Sequence, residues 1–215
     1  MLSATRSVGP TATAVAALTL LAAQPAHANP LQQPTANFIA DVEITRESDH
    51  AVRMPARYVV VGRKISVDYN GLVKLIDLDK KQLEPMIPRV KTYWKPEPIS
   101  GAALDARYWI GVQADTAEPV GAETMLGRAV TRYRVTGKIF DTATPFEGEV
   151  WTTAENIVVK VEGIGKGQDE KGKPFTAPVK VTAVQLAVGN IDPALVAIPP
   201  KFVRAVSGTV GYKDD

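Results

Sequence analysis

Residues 148–163 read GEVWTTAENIVVKVEG, and apolar and polar side chains alternate along both halves of the stretch. In the second half Ile157, Val159 and Val161 fall on one face, and Val158, Lys160 and Glu162 on the other. Val150 joins the apolar set, which leaves Trp151 opposite it, as a surface ring, part of a second core or the rim of a site. A period of two marks strands with one buried face, so the stretch predicts a hairpin. It also carries Glu149, Glu155 and Glu162, with Glu147 just before it. Paired carboxylates can do acid–base work only at a defined separation. The alternation assigns them to solvated hairpin faces instead.

The same rhythm extends outward. Upstream, AETML turns at Gly127 into RAVTRYRVTG, where Thr131, Tyr133 and Val135 oppose Arg132 and Arg134. Arg128, Arg132 and Arg134 make one basic strand face, suited either to an anionic headgroup or to cross-strand pairing with acids such as Glu149. Near the start, Phe38, Ala40, Val42 and Ile44 alternate with Ile39, Asp41, Glu43 and Thr45. RYVVVG and KISVDY are joined at Gly62-Arg63, and Asn70-Gly71 is a strong turn signal before LVKLIDL. Lys91-Thr92-Tyr93-Trp94 is a further short extended segment. PVKVTAVQLAVG, residues 178–189, predicts a long last strand, and Asp192-Pro193-Ala194-Leu195 a helical turn. Two segments read differently. Residues 100–113, SGAALDARYWIGVQ, have alanine-rich, mostly helical spacing and a serine cap, and predict a helix. Residues 163–175, GIGKGQDEKGKPF, predict a flexible loop.

The N-terminus has the pattern of an export signal: a single charge at Arg6, the apolar run ATAVAALTLLAA and a small-x-small site at Ala26-His27-Ala28. Cleavage is expected after Ala28, giving a periplasmic or secreted protein with no membrane-spanning helix left. Residues 29–35 read as a flexible spacer, 36–203 as one domain and 204–215 as a frayed tail. The chain has no cysteine. Disulfides, thiolate metal sites, a cysteine nucleophile and a lipoprotein anchor are therefore excluded. Without Arg6 the 25 basic residues come within one of the 23 acidic ones, which gives no electrostatic footprint for nucleic acid.

Catalytic motifs are equally scarce. His27 leaves with the signal, so only His50 remains, in a polar connection. No G-x-S-x-G elbow accompanies it, and no zinc site of the usual histidine or cysteine kind can be assembled. Asp77 and Asp79 in IDLDKK lack the ladder, glycine and closing glutamate of a calcium loop and read as an acidic turn. Gly163-Ile164-Gly165-Lys166-Gly167 lacks the Lys-Ser/Thr ending of a phosphate loop. The expectation is a non-enzyme with no cofactor and no metal. Its fold class is α+β, mostly β: an antiparallel sheet whose apolar face a single helix does not fully cover, which leaves room for an apolar cavity.

Several short motifs carry a family resemblance. Gly121-x-Glu123-Thr124-x-x-Gly127, Tyr133-x-Val135 and Val150-Trp151 resemble the central hairpins of periplasmic lipoprotein-localisation carriers and related cell-envelope lipid-carrier lipoproteins. DPALVAIPPKF, residues 192–202, is similar to their closing motif, with Val196 where an aromatic is usual. Asn70-Gly71, Ile76-Asp77-Leu78, Ile87-Pro88 and Lys91-Thr92-Tyr93 also fit. The resemblance implies a curved antiparallel sheet, an open half-barrel, with helices on its concave face and acyl chains held between. The expected function is then a carrier for an apolar ligand, a lipid or a lipidated protein. Phe38, Val42, Tyr133, Val159 and Trp109 are the expected lining. The alternative is an assembly module of the envelope that binds another protein and no small ligand.

Overall fold

The computed structural model describes residues 31, 33–47, 51–99, 112–139, 144–168 and 172–205, and most of them are extended. The first meander contains β1 (Phe38–Glu47), β2 (Ala51–Val61), β3 (Lys64–Tyr69), β4 (Leu72–Asp77) and β5 (Gln82–Ile87). The two-residue strands β6 (Thr92–Tyr93) and β7 (Glu97–Pro98) both pair with β5. The second meander contains β8 (Val112–Met125), β9 (Arg128–Ile139), β10 (Thr144–Thr153), β11 (Val158–Gln168) and β12 (Pro174–Val188). A last short strand, β13 (Val203–Arg204), adds in parallel to β6. All thirteen form one open, curved sheet in the order β13-β6-β5-β4-β3-β2-β1-β12-β11-β10-β9-β8, with β7 beside β5. The two meanders meet where β1 pairs with β12.

Turn chemistry fixes the hairpins. Asn70 and Gly71 have φ of 52° and 80°, and Leu126 and Gly127 have φ of 52° and 72°. Two successive left-handed residues give the turn whose twist matches that of the flanking strands. Between β4 and β5 the Asp77 carboxylate closes the turn: the Asp79 and Lys80 amides donate to its Oδ1 at 3.1 and 3.0 Å. The aspartates that resemble a calcium-loop fragment are thus a turn clamp.

Register then determines the faces, because paired residues on adjacent strands point the same way. One row runs Leu83, Ile76, Ile65, Val60, Phe38 and Val188 across β5, β4, β3, β2, β1 and β12. A second runs Met54, Ile44, Val181, Val161, Val150, Tyr133 and Pro119 from β2 to β8. Both belong to one apolar face, whose members make up most of the main core.

On β1–β5 the opposite face is buried as well. Ile191 and Val196 pack against Val59, with Ile39 and Val61 alongside. Ile198 and Phe202 pack with Val73, Leu75 and Met86. The turn expected at 192–195 is a 3-10 helix, Pro193–Val196, capped by the Asp192 carboxylate accepting from the Ala194 amide at 2.9 Å. Val196, which stands where the resembled motif has an aromatic, is buried in this second layer. Burial on both sides accounts for the unbroken Val59-Val60-Val61 run.

Three expectations change. Helices on the concave face are not found among the described residues. Residues 100–111 of the expected helix lie outside them, while Val112 and Gln113 already pair with Ile139 and Lys138 in β8. Within the expected spacer, Leu31 is buried and the Thr35 amide donates to the Glu155 carbonyl at 2.9 Å. The expected loop at 163–175 is mostly strand: β11 runs on to Gln168, and β12 starts at Pro174.

Glycines explain that last change. Gly163, Gly165 and Gly167 alternate on one side of β11, and Gly148 pairs directly with Gly163. A Cβ added at Gly148 or at Gly163 would lie 2.7 Å from the Phe146 ring. It would lie closer still to the facing strand's backbone, the Glu162 carbonyl oxygen for Gly148 and the Glu147 one, at 2.5 Å, for Gly163. The buried ring and the close strand pair together leave no room for side chains. Packing an aromatic over strand glycines restores the apolar contact they lack. Gly163→Ala should therefore destabilise the protein by about 1–3 kcal/mol through overpacking. Phe146→Ala should cost about 3–5 kcal/mol, whereas Gly121→Ala, with nothing nearer than 3.8 Å to its new Cβ, should cost less than either. Urea denaturation midpoints at fixed m check this order.

Candidate functional site on the apolar face

The two faces of β8–β12 have opposite chemistry, and the charged one accounts for the carboxylates. Glu149 and Glu162 are direct cross-strand partners, so the fold does bring two acids together. Each, however, is taken up by bases. Arg132 lies 3.6 Å from both Glu149 and Glu123, and Glu162 pairs with Lys160 and, at 3.7 Å, with Lys180. Arg128–Glu155, Arg134–Glu118 and Lys166–Glu147 continue the ladder. The basic strand face is thus a cross-strand pairing surface.

The displaced carboxyl pKa values shift downward. The hydrogen bond from Lys160, followed by the Lys160 and Lys180 charges, outweighs burial and lowers Glu162. The Thr153 hydroxyl, then a backbone amide and the Arg128 charge, lower Glu155. For Asp77 burial pushes up most strongly, but the Lys80 amide and the Lys80 and Lys64 charges together prevail. A general acid working near neutrality needs the opposite displacement.

Trp151 lies in this charged layer yet is only 3% exposed. Its cross-strand neighbours are Lys160 and Arg132, and the Lys160 ammonium stands 4.1 Å from the ring centroid. It is a buried ring under a cation. The alternation around it is broken by a bulge between Trp151 and Thr152, and Ile157, Val158 and Val159 are all buried there. The extra residue of a bulge upsets a strict inside–outside assignment, so Val158 does not take the solvent face that its spacing predicts.

On the apolar face, Phe38, Val42 and Val159 are core members at 1% exposure each, and Tyr133 packs partly buried against the same cluster. Phe38 and Val42 stand on β1, Val159 on β11 and Tyr133 on β9, so one continuous surface carries all four. Trp109 and His50 lie outside the described residues. The closed centre of this face has a more open flank on β2–β5. There Tyr58, Val67, Tyr69, Leu72, Pro85 and Ile87 are all half-buried. This flank was not singled out by sequence, although the alternation in KISVDY and the Asn70-Gly71 turn together define most of it. A separate open groove of ≈ 660 Å³ at the β6–β7–β13 corner is lined by Trp94, Pro96, Pro98, Lys95, Glu97 and Arg204, among others. It shares no residue with the expected lining. Among the described residues no group of three or more metal-binding side chains converges, and no helix is long and apolar enough to cross a membrane.

No family model and no curated protein matches the chain. Among solved structures it is similar to PNGF-II at 10% identity and TM-score 0.41, covering 82% of this chain and 32% of that one. It therefore spans about a third of the PNGF-II chain. It is also similar to a LolA superfamily protein from Nitrosomonas europaea at 12% identity and TM-score 0.36, covering 80% and 94% of the two chains. An outer membrane lipoprotein-sorting protein domain from Vibrio parahaemolyticus matches at 10% identity and TM-score 0.31, covering 78% and 92%. These likenesses concern the fold.

The lowered carboxyl pKa values set the acid response. A native pKa below the unfolded one means that the unfolded chain binds more protons in between. The stabilisation from Glu162, Glu155 and Asp77 is complete above the ordinary carboxylate range, about pH 4–4.5. It is lost as pH falls through the depressed native values. Glu162→Gln should flatten the fall in urea midpoint between pH 5 and 3 and lower the midpoint at pH 7.

Proposed function

We propose that the protein is a non-catalytic carrier or binding protein of the cell envelope for an apolar ligand, a lipid or a lipidated protein. The observation that carries this reading is the continuous apolar face of β1–β5 and β8–β12, with its half-open flank of Tyr58, Val67, Tyr69, Leu72, Pro85 and Ile87. Apolar area that water reaches only partly is where a hydrocarbon chain gains most by contact, roughly 25 cal/mol per Å² covered. In this reading Phe38, Val42 and Val159 form the floor of the site and Tyr133 lies toward its rim, while Trp109 is a proposed lining residue outside the described residues. Export through the N-terminal signal, with release after Ala28, would put the carrier in the periplasm.

The assembly-module reading has less support. Its natural docking element is the edge strand β8, since a partner strand can pair with an open edge. That edge carries Pro119, Asp115, Glu118 and Glu123 and two bulges, the devices that keep edges from pairing.

Native mass spectrometry of the protein purified from a bacterial periplasm, followed by solvent extraction, tests the carrier reading. A bound species that dissociates as lipid is expected, and Val67→Asp should reduce its yield severalfold while the protein stays folded. A ligand-free monomer that also takes up nothing from added lipid would refute it.

A further inference from the structure

On the apolar face of β1–β5 and β8–β12, Lys74 is the one ionic side chain among those described. Its place follows from register: it pairs with Val67 on β3 and Pro85 on β5, in the row Ala40, Tyr58, Val67, Lys74, Pro85. Its neighbours along β4 make the placement distinct. Val73 and Leu75 point into the layer under the C-terminal segment, and Ile76 points into the main core beside Lys74. Lys74 is half-buried, and it has no hydrogen-bond or ion-pair partner among the described residues. The other lysines and arginines of β9–β12 are mostly spent in the charged ladder on the opposite face. Glu97, the acid that β7 brings to the apolar side, pairs across from Leu83 and forms no bridge to Lys74.

A lysine can lie along apolar surface with its head in water and no ligand at all. One juxtaposition favours a ligand. Half-buried apolar side chains border Lys74: Val67 and Pro85 stand across from it, Leu72 precedes it on the same face of β4, and Tyr69 and Ile87 are diagonal to it. One cation set in such a surface complements one negative charge at the end of a hydrocarbon chain.

We infer that Lys74 anchors the head of a long-chain fatty carboxylate whose hydrocarbon lies over Val67, Tyr58, Tyr69 and their neighbours. This inference rests on the carrier reading and names the ligand's chemistry. The Lys74 ammonium donates to the carboxylate in a charge-assisted hydrogen bond, which is stronger than a neutral one and strengthened further where water is partly excluded.

The test compares two probes of equal chain length, palmitate and 1-hexadecanol, by equilibrium dialysis against the full-length protein delipidated under native conditions. Palmitate should bind the wild type about tenfold more tightly than the alcohol. Lys74→Met should remove that preference and leave hexadecanol binding unchanged, and Lys74→Arg should retain it. Palmitate labelled with carbon-13 at C1 should show its bound carboxyl signal shift in Lys74→Met. If the alcohol binds but palmitate affinity is the same in wild type and Lys74→Met, the anchor is wrong and the carrier reading survives. If neither probe binds, the anchor is wrong, and the native mass spectrometry of the purified protein decides the carrier reading on its own.

Discussion

The architecture depends on the seam between β1 and β12. Each meander is held by hairpins between neighbours in sequence, but a single ladder joins them, from Phe38 opposite Val188 to Arg46 opposite Val179. Along this ladder Phe38, Ala40, Val42 and Ile44 meet Val188, Leu186, Ala183 and Val181 on one face. The seam therefore does more than connect two sheets. It aligns the inside–outside phase of the two meanders, so that the apolar sides of β2–β5 and β8–β11 become one surface. A slip by one residue would set an apolar half beside a charged half. The bulge at Val184, between the Asp41 and Val42 pairs, adjusts that phase within the ladder. Its side chain is exposed, as expected for the extra residue of a bulge.

Much of this was legible in the sequence because strand period and turn residues are local signals. The Asn70-Gly71 and Gly127 turns, the alternation from Phe38 to Thr45, and the hairpin at 148–163 all carry their geometry in a few consecutive residues. What sequence missed came from contacts distant in the chain. GIGKG reads as a loop because glycine lowers strand propensity locally. It is a strand because side chains outside the run supply the missing apolar contact: Phe146 at Gly163, Ile139 at Gly165 and Phe175 at Gly167. Leu31 reads as spacer because nothing adjacent to it is patterned, and its burial comes from the folded sheet. The end of the segment 100–113 favours helix by composition, yet β9 offers Val112 and Gln113 a ladder that propensity cannot anticipate.

Face membership was legible to a similar depth. Phe38, Val42, Val159 and Tyr133 were found as members of one face, because face membership follows from parity along each strand. How deeply each is covered does not follow from parity. The three aliphatic and phenyl positions are in the closed part, while the more open flank lies two strands away on β3 and β4. Lys74 shows the same limit from the other side. In LVKLIDL a lone lysine between apolar residues looks like the polar side of a strand. Only the pairing with Val67 and Pro85, together with the C-terminal segment against Val73 and Leu75, reveals that the side without the lysine is also buried. The cross-strand ion pairs were legible for a general reason: charges repeated at strand period tend to meet opposite charges on the next strand.

The C-terminal segment from Ile191 to Phe202 has one more consequence. It gives β2–β5 packing on both faces, whereas its contacts do not extend over β8–β11, where the second face is a layer of ion pairs half open to water. Salt therefore acts unevenly on the molecule: screening weakens the ion-pair layer of β8–β12 and leaves the apolar packing of the C-terminal segment against β2–β5 untouched.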